Sequence, residues 1–135
     1  MIVPDASVVV NALLDSGRDG ALAREVMMES AERHAPHLLD VEVTSVLRRW
    51  VNAGRLTPDV ATSTIADLRD LDVIRHDHAL LLEQAITLRN TVSAYDAMYV
   101  ALADLIGADL VTADGPLSRG AAAHCRIRFL GAPTS

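Results

Sequence analysis

Five carboxylates stand where a chain of this kind can bring them to one edge. Asp5 follows the apolar run Ile2-Val3-Pro4, and Asp40 and Glu42 follow the stretch Ala35-Pro36-His37-Leu38-Leu39. Asp96 sits in Ser93-Ala94-Tyr95-Asp96, ahead of an apolar stretch, and Asp114 closes Val111-Thr112-Ala113-Asp114. Each has a local explanation. Asp5, Asp40 and Asp114 suit helix N-caps, and Ser93 with Asp96 has capping-box spacing. Acids at helix N-termini are also favoured by the macrodipole. Taken jointly they suggest more. Asp96 is nearly alone among apolar neighbours, and a carboxylate there needs a partner. No lysine can supply one, because all twelve basic residues are arginine. Two carboxylates about 5 Å apart at an effective dielectric of about 20 repel by roughly 3 kcal/mol. Protons or a cation relieve that repulsion, and donors that are all oxygen suit a hard ion, Mg²⁺ or Mn²⁺. Such an ion keeps part of its water shell and leaves room for a phosphate.

The elements that must position these acids are legible as short apolar runs alternating with helical patterns. The runs predict strands over 2–4, 35–39, 71–75, 108–112 and 126–130. Helices are expected over 7–14, 21–33, 41–53, 58–70, 78–89 and 94–106. In 41–53 the residues Val43, Val46, Leu47, Trp50 and Val51 recur at i, i+3, i+4, i+7 and i+8, and Gly54 supplies a stop. Thr57-Pro58-Asp59 restarts the chain as a helix, with a cap, a first-position proline and a first-turn acid. The two segments therefore form a helical hairpin. The 94–106 helix is apolar almost all round and should be packed on several sides. The alternation predicts an α/β domain with a mainly parallel sheet. Such sheets bind ligands beyond their strands' carboxyl ends, where the strand order reverses.

Composition narrows the classes. At 135 residues, half of them apolar, the chain is expected to form one domain over 1–135. No apolar stretch of membrane-spanning length and no secretory signal is evident, and Cys125 is the only cysteine. A cytoplasmic protein without an internal disulfide is expected. The net charge of −6 is unlike that of a typical nucleic-acid binder, so any attraction for a polyanion must be local. Arg48, Arg49 and Arg55, on or beside the hairpin and off its apolar stripe, are candidates, as is Arg119 after the Asp114 turn. The absence of lysine removes P-loop and Schiff-base chemistry. Four aromatics, Trp50, Tyr95, Tyr99 and Phe129, are too few for binding mainly by base stacking. The pairs His34/His37 and His76/His78 lack cysteine partners and H-E-x-x-H spacing, which favours a structural or surface role. Met27-Met28 reads as core filler.

MIVPDAS, LLDVEVTSVL, VSAYDAMYVALA and LVTADGPL, taken in order across nearly the whole chain, resemble the PIN domain and more closely its bacterial VapC toxin branch. That resemblance implies a three-layer α/β/α sandwich around a central five-stranded parallel sheet. It implies a Mg²⁺-dependent endoribonuclease, restrained by a small VapB antitoxin. A homodimer, a toxin–antitoxin hetero-oligomer, and operator DNA contacted only through the antitoxin go with it. Carried over by position, Asp5, Glu42, Asp96 and Asp114 match the family's acidic quartet. Asp5 and Asp96 are then the direct metal ligands, with Glu42 and Asp114 completing the site. Ser7 and Thr112 match hydroxyls that orient carboxylates, and Asn11, one turn beyond Ser7, is a further candidate. The implied chemistry is metal-assisted hydrolysis of RNA phosphodiesters by water, with Glu42 or Asp114 taking a proton. Aspartyl-phosphate enzymes also place an acid after a first strand, but they use a lysine that is absent here. A PIN-like module that binds RNA without cutting it, and an acidic scaffold active only with its antitoxin, are the alternatives from other classes.

Overall fold

The computed structural model describes residues 1–131. Five strands alternate with helices, as expected: β1 Ile2–Pro4, β2 His34–Pro36, β3 Ile74–His76, β4 Asp109–Thr112 and β5 Ile127–Phe129. The helices are α1 Ala6–Leu14, α2 Arg18–Glu29, α3 Leu38–Asn52, α4 Pro58–Asp70, α5 Leu82–Thr87, α6 Ala94–Ile106 and α7 Gly115–Ala121. Every strand pairing is parallel. The strands form a β1-β4-β5 ladder and a β2-β3 ladder, joined by a single bridge between Ile2 and Arg33. The resulting order is β3-β2-β1-β4-β5, with regular pairing interrupted between β2 and β1. α1 packs against α2, α3 and α4, while α6 packs against α5 and strands β1, β2 and β4. The sheet is thus sandwiched between two groups of helices. β1 is the first strand, yet it has β2 on one side and β4 on the other, so the order reverses between β1 and β4.

Val3, Leu110 and Val111 of the central strands are fully buried, as are Val8, Val9, Leu39, Val43 and the Tyr99–Ala103 stretch of α6. The central strand β1 and the middle of β4 are apolar on both faces, as parallel strands covered on both sides must be. α6 buries every residue from Ala97 to Ala103, in accord with its all-round apolar sequence, and ends at Gly107 in a left-handed conformation (φ 69°).

Several boundaries move. The second strand ends at Pro36, not residue 39, because the chain turns there: the His37 amide donates to His76 O, and α3 already begins at Leu38. The third strand occupies Ile74–His76 in place of 71–75. The second helix is Arg18–Glu29, not 21–33, and Arg33 folds back to donate to the exposed carbonyls of Met27 and Ser30. The 78–89 segment starts as a 3₁₀ turn, Ala79–Leu81, before α5. Met27 is buried, but Met28 is 82% exposed and is not core.

α1 and α2 approach closely at Gly20. Its amide donates to the Asp15 carboxylate at 2.7 Å, and a Cβ there would stand 1.9 Å from Asp15 O. Backbone cannot yield as a flexible side chain would. Gly20→Ala is expected to cost about 1–3 kcal/mol, read as a lowered urea midpoint with an unchanged m-value. An unchanged midpoint would show that the α1–α2 packing adapts.

Candidate metal and phosphate site

The first carboxylate is fixed by three donors. Asp5 ends β1, is 5% exposed, and caps α1 through Val8 N at 3.1 Å. The same oxygen accepts from Ser7 Oγ, and Oδ2 accepts from Thr112 Oγ1 at the end of β4. Ser7 Oγ in turn accepts from Ala113 N, and Thr112 Oγ1 from Asp114 N. Two hydroxyls therefore tie the exit of β1 to the exit of β4, across the point where strand order reverses. Asp114 caps α7 through Leu117 N at 3.0 Å.

Asp96 stands in the first turn of α6. Its amide donates to Ser93 Oγ at 3.1 Å, and the Ser93 hydroxyl partly offsets the rise in its carboxylate's proton affinity. Only half of the expected capping box is formed. Glu42 lies one turn into α3, and its Oε1 accepts from Tyr99 Oη at 2.6 Å. Tyr99 is the member of this site that the sequence did not single out. It reads as one more apolar-helix residue, and the available signal is its place three residues after Asp96 on the same helix. Burial, then the Glu42 carboxylate, pushes its hydroxyl far above the ordinary tyrosine range, so it remains a donor.

Electrostatics link all four acids. Burial holds Asp5 above the ordinary carboxylate value, outweighing its donors, and Asp114 adds to the rise. Burial also raises Glu42, with Asp96 and Asp5 contributing, and raises Asp96, with Asp114 contributing. Among the described residues no arginine or histidine pairs with any of the four. Nor do three His, Cys, Asp or Glu side chains there close into a ready metal shell. The donor chemistry nonetheless suits a hard ion: mutually repelling oxygens lack a counter-charge, and Mg²⁺ commonly takes only one or two protein carboxylates plus water and phosphate.

Asp40 belongs to a different arrangement. It is not an N-cap but a first-turn residue of α3, held by Arg75 through Nε at 2.8 Å and Nη2 at 3.0 Å. The first amide of α3, Leu38 N, is instead capped by His78 Nε2 at 2.9 Å. A ring arriving from the exit of β3 thus does the work expected of Asp40. His34 and His76 hydrogen-bond to each other at 2.8 Å, and burial and neighbouring His34 and His37 hold His76 below the ordinary histidine value. These histidines join β2 to β3 away from the acids. Arg48 and Arg49 are exposed on α3, six and seven residues beyond Glu42. The Arg119 guanidinium folds over Gly115, next to Asp114. Asn11 makes no hydrogen bond to any of the four carboxylates among the described residues and instead lines a cleft with Trp50.

The PIN domain sequence pattern matches residues 2–122. The chain belongs to the PIN domain family. Within it the chain is of the VapC type: it is 42% identical over 128 residues to ribonuclease VapC9 of Mycobacterium tuberculosis, covering 94% of this chain and 96% of that protein. Two solved PIN-family structures share the fold. VapC20 of M. tuberculosis, described as a sarcin-ricin-loop-cleaving toxin, superposes with a TM-score of 0.70 at 19% identity, covering 88% of this chain and 94% of that one. VapBC2 of Rickettsia felis, solved with a promoter DNA fragment, gives 0.71 at 13% identity, covering 96% and 98%. For this PIN domain, Tyr99→Phe tests how the acids are held. It is expected to leave the fold intact at a cost of about 1 kcal/mol and to lower any RNA cleavage by about 10–100-fold. Chemical denaturation and cleavage kinetics read the two effects, and full activity would free Glu42 from dependence on Tyr99.

Proposed function

We propose that this chain, as one nuclease domain over residues 1–135, is a Mg²⁺-dependent endoribonuclease and the toxin of a VapBC-type module. The observation that carries this reading is the set of Asp5, Glu42, Asp96 and Asp114 at the reversal point of a PIN fold: the first three bind protons more tightly than ordinary carboxylates, Asp114 adds to the rise at Asp5 and Asp96, and no arginine or histidine among the described residues pairs with any of the four. Asp5 and Asp96 serve as metal ligands, with Glu42 and Asp114 completing the shell. When bound, Mg²⁺ (or Mn²⁺ in its place) supplies charge neutralisation at the phosphate and lowers the pKa of water.

The chain's own residues do the rest. Ser7, Thr112 and Val8 N fix the orientation of Asp5 while leaving lone-pair capacity on its oxygens. Asp96 presents a half-buried carboxylate that no arginine or histidine among the described residues pairs with. Tyr99 holds one oxygen of Glu42, leaving the other to accept the proton of the attacking water. Raised proton affinity makes Glu42 a better base near neutral pH than an ordinary glutamate. Attack by water with the 3′-oxygen as leaving group, the course that the resemblance to the PIN family implies, gives a 5′-phosphate and a 3′-hydroxyl. Arg119 lies beside Asp114 and is placed to meet a phosphate, with Arg48 and Arg49 further along the strand's path.

Toxin relatives support a cognate VapB-type antitoxin as partner, with operator DNA met through it. Leu80, Leu82, Ile86 and Tyr95, all more than half exposed, support association with a second copy. Among the described residues no helix is long and apolar enough to cross a membrane, and the proposed site of action is the cytoplasm.

The test is cleavage of total RNA by the purified chain with Mg²⁺ and with EDTA, mapping new 5′ ends. Metal-dependent 5′-phosphate ends are expected. RNA bound but uncut under both conditions would favour a non-cleaving binding module, and cleavage undiminished in EDTA would remove the metal.

A further inference from the structure

A second site lies along α1 from the acids. A cleft of about 230 Å³ is bounded by Asn11, Leu14, Asp15, Trp50, Arg55 and Leu56. Its floor is a built platform. Gly54 adopts a left-handed conformation (φ 73°), and the turn it allows brings the Arg55 amide back to Trp50 O at 2.8 Å. The Arg55 guanidinium then lies 4.8 Å from the centroid of the Trp50 ring. In a chain with net charge −6, Arg55 has no carboxylate partner among the described residues. One wall carries the Asn11 amide, which makes no hydrogen bond among those residues, and the Asp15 carboxylate, whose Oδ2 is taken by Gly20 N. Both leave hydrogen-bonding capacity for an occupant.

Ser7 and Asn11 are spaced four residues apart on one face of α1, and Asp15 follows as its C-cap. That face leads from the hydroxyl holding Asp5 directly to the cleft. Six residues separate Asp5 from Asn11, about 9 Å at 1.5 Å per residue. A stacked strand advances about 3.4 Å per nucleotide, so the cleft falls within about three nucleotides of the proposed scissile phosphate. Its volume is below the roughly 300–1,000 Å³ of sites for larger small molecules, and suits a single flat ring better than a partner's helix.

We propose that this cleft seats one unpaired nucleobase of the RNA being cut, stacked against the Trp50–Arg55 pair with its polar edge toward Asn11 and Asp15. The proposal rests on the ribonuclease reading and adds a base-recognition subsite to it. A planar cation on an aromatic ring is a stacking surface that an ammonium cannot reproduce. One such contact does not supply overall affinity; it favours the strand register that fills it.

Trp50 is the only tryptophan, so its fluorescence reports on the cleft alone. The wild-type chain in EDTA is titrated with single-stranded RNA hexamers of each base and, separately, with inorganic tripolyphosphate. The hexamers are expected to quench Trp50 saturably, with unequal affinities among bases, and tripolyphosphate to leave it unchanged. In Mg²⁺, Arg55→Ala is expected to raise KM for RNA about five- to tenfold, more than it lowers kcat, with an unchanged melting temperature; Arg55→Lys should fail to restore KM. Equal quenching by tripolyphosphate, full rescue by lysine, or quenching by a co-purified protein partner but not by RNA would overturn the subsite. If the chain cuts RNA while Trp50 and KM do not respond, the subsite falls and the ribonuclease reading stands. If Trp50 responds but no RNA is cut, the catalytic reading falls.

Discussion

Replacing Asp5 by asparagine is expected to abolish the proposed Mg²⁺-dependent RNA cleavage while leaving the metal-free protein folded. The two halves have separate causes. Asparagine is as good an N-cap as aspartate, so the Val8 amide keeps its acceptor and α1 keeps its start. The substitution also removes a charge that burial and Asp114 disfavour. On the proposed reading catalysis loses a metal ligand, and an interaction of about 4 kcal/mol made at the transition state corresponds to about a thousandfold in rate. Asp96→Asn should behave alike in cleavage, since no arginine or histidine among the described residues neutralises Asp96. Cleavage within tenfold of wild type by either variant, folded by circular dichroism, would remove that residue from the site. A folded but strongly destabilised Asp5→Asn would mean that Asp5 is chiefly a structural cap.

Asp5, Glu42 and Asp96 are expected to make the metal-free protein lose stability as pH rises above the unfolded carboxylate range, against the usual trend for carboxylates. Asp5, Glu42 and Asp96 each bind their proton more tightly in the folded chain than in the unfolded one. Unfolded carboxylates titrate near 4. Between that value and the raised folded values, the native state holds more protons, so the slope of unfolding free energy with pH is negative. The stabilising protonated forms are present at the low end, and the full repulsion appears above the folded values. Other groups also titrate, so the comparison is wild type against the triple variant Asp5→Asn, Glu42→Gln, Asp96→Asn in EDTA, by urea unfolding. The wild-type slope should be more negative than that of the variant. Mg²⁺ should cancel the difference, adding about 2.7 kcal/mol at a hundredfold excess over its Kd. Identical slopes would mean that the acids do not strain the folded chain.

The elements were largely legible because their signals are local. α4 occupies Pro58–Asp70 as its cap and proline dictate, and α6 runs Ala94–Ile106 between Ser93 and Gly107. Those signals need only neighbours along the chain. Asp5 and Asp114 were legible as caps, and they are caps; the sequence alone left open whether they are also something more. The boundary of β2 moved because a distant group sets it, the His76 carbonyl taking the His37 amide, whereas α2 ends where nearby Arg33 takes its last carbonyls.

The site divides the same way. Residue types and their order along the chain determined which acids stand at strand exits, and the lack of lysine determined that no lysine could neutralise them. Tertiary structure alone decided that Thr112 and Ser7 lace β1 to β4, that Tyr99 holds Glu42 from 57 positions away, and that Asp40 is drawn off by Arg75. It also decided that Asn11 faces Trp50 and not the carboxylates. Hydrogen bonds and repulsions act through a few ångströms of space, and the distance between two side chains is set by how helices pack on the sheet, a quantity that spacing along the chain does not contain.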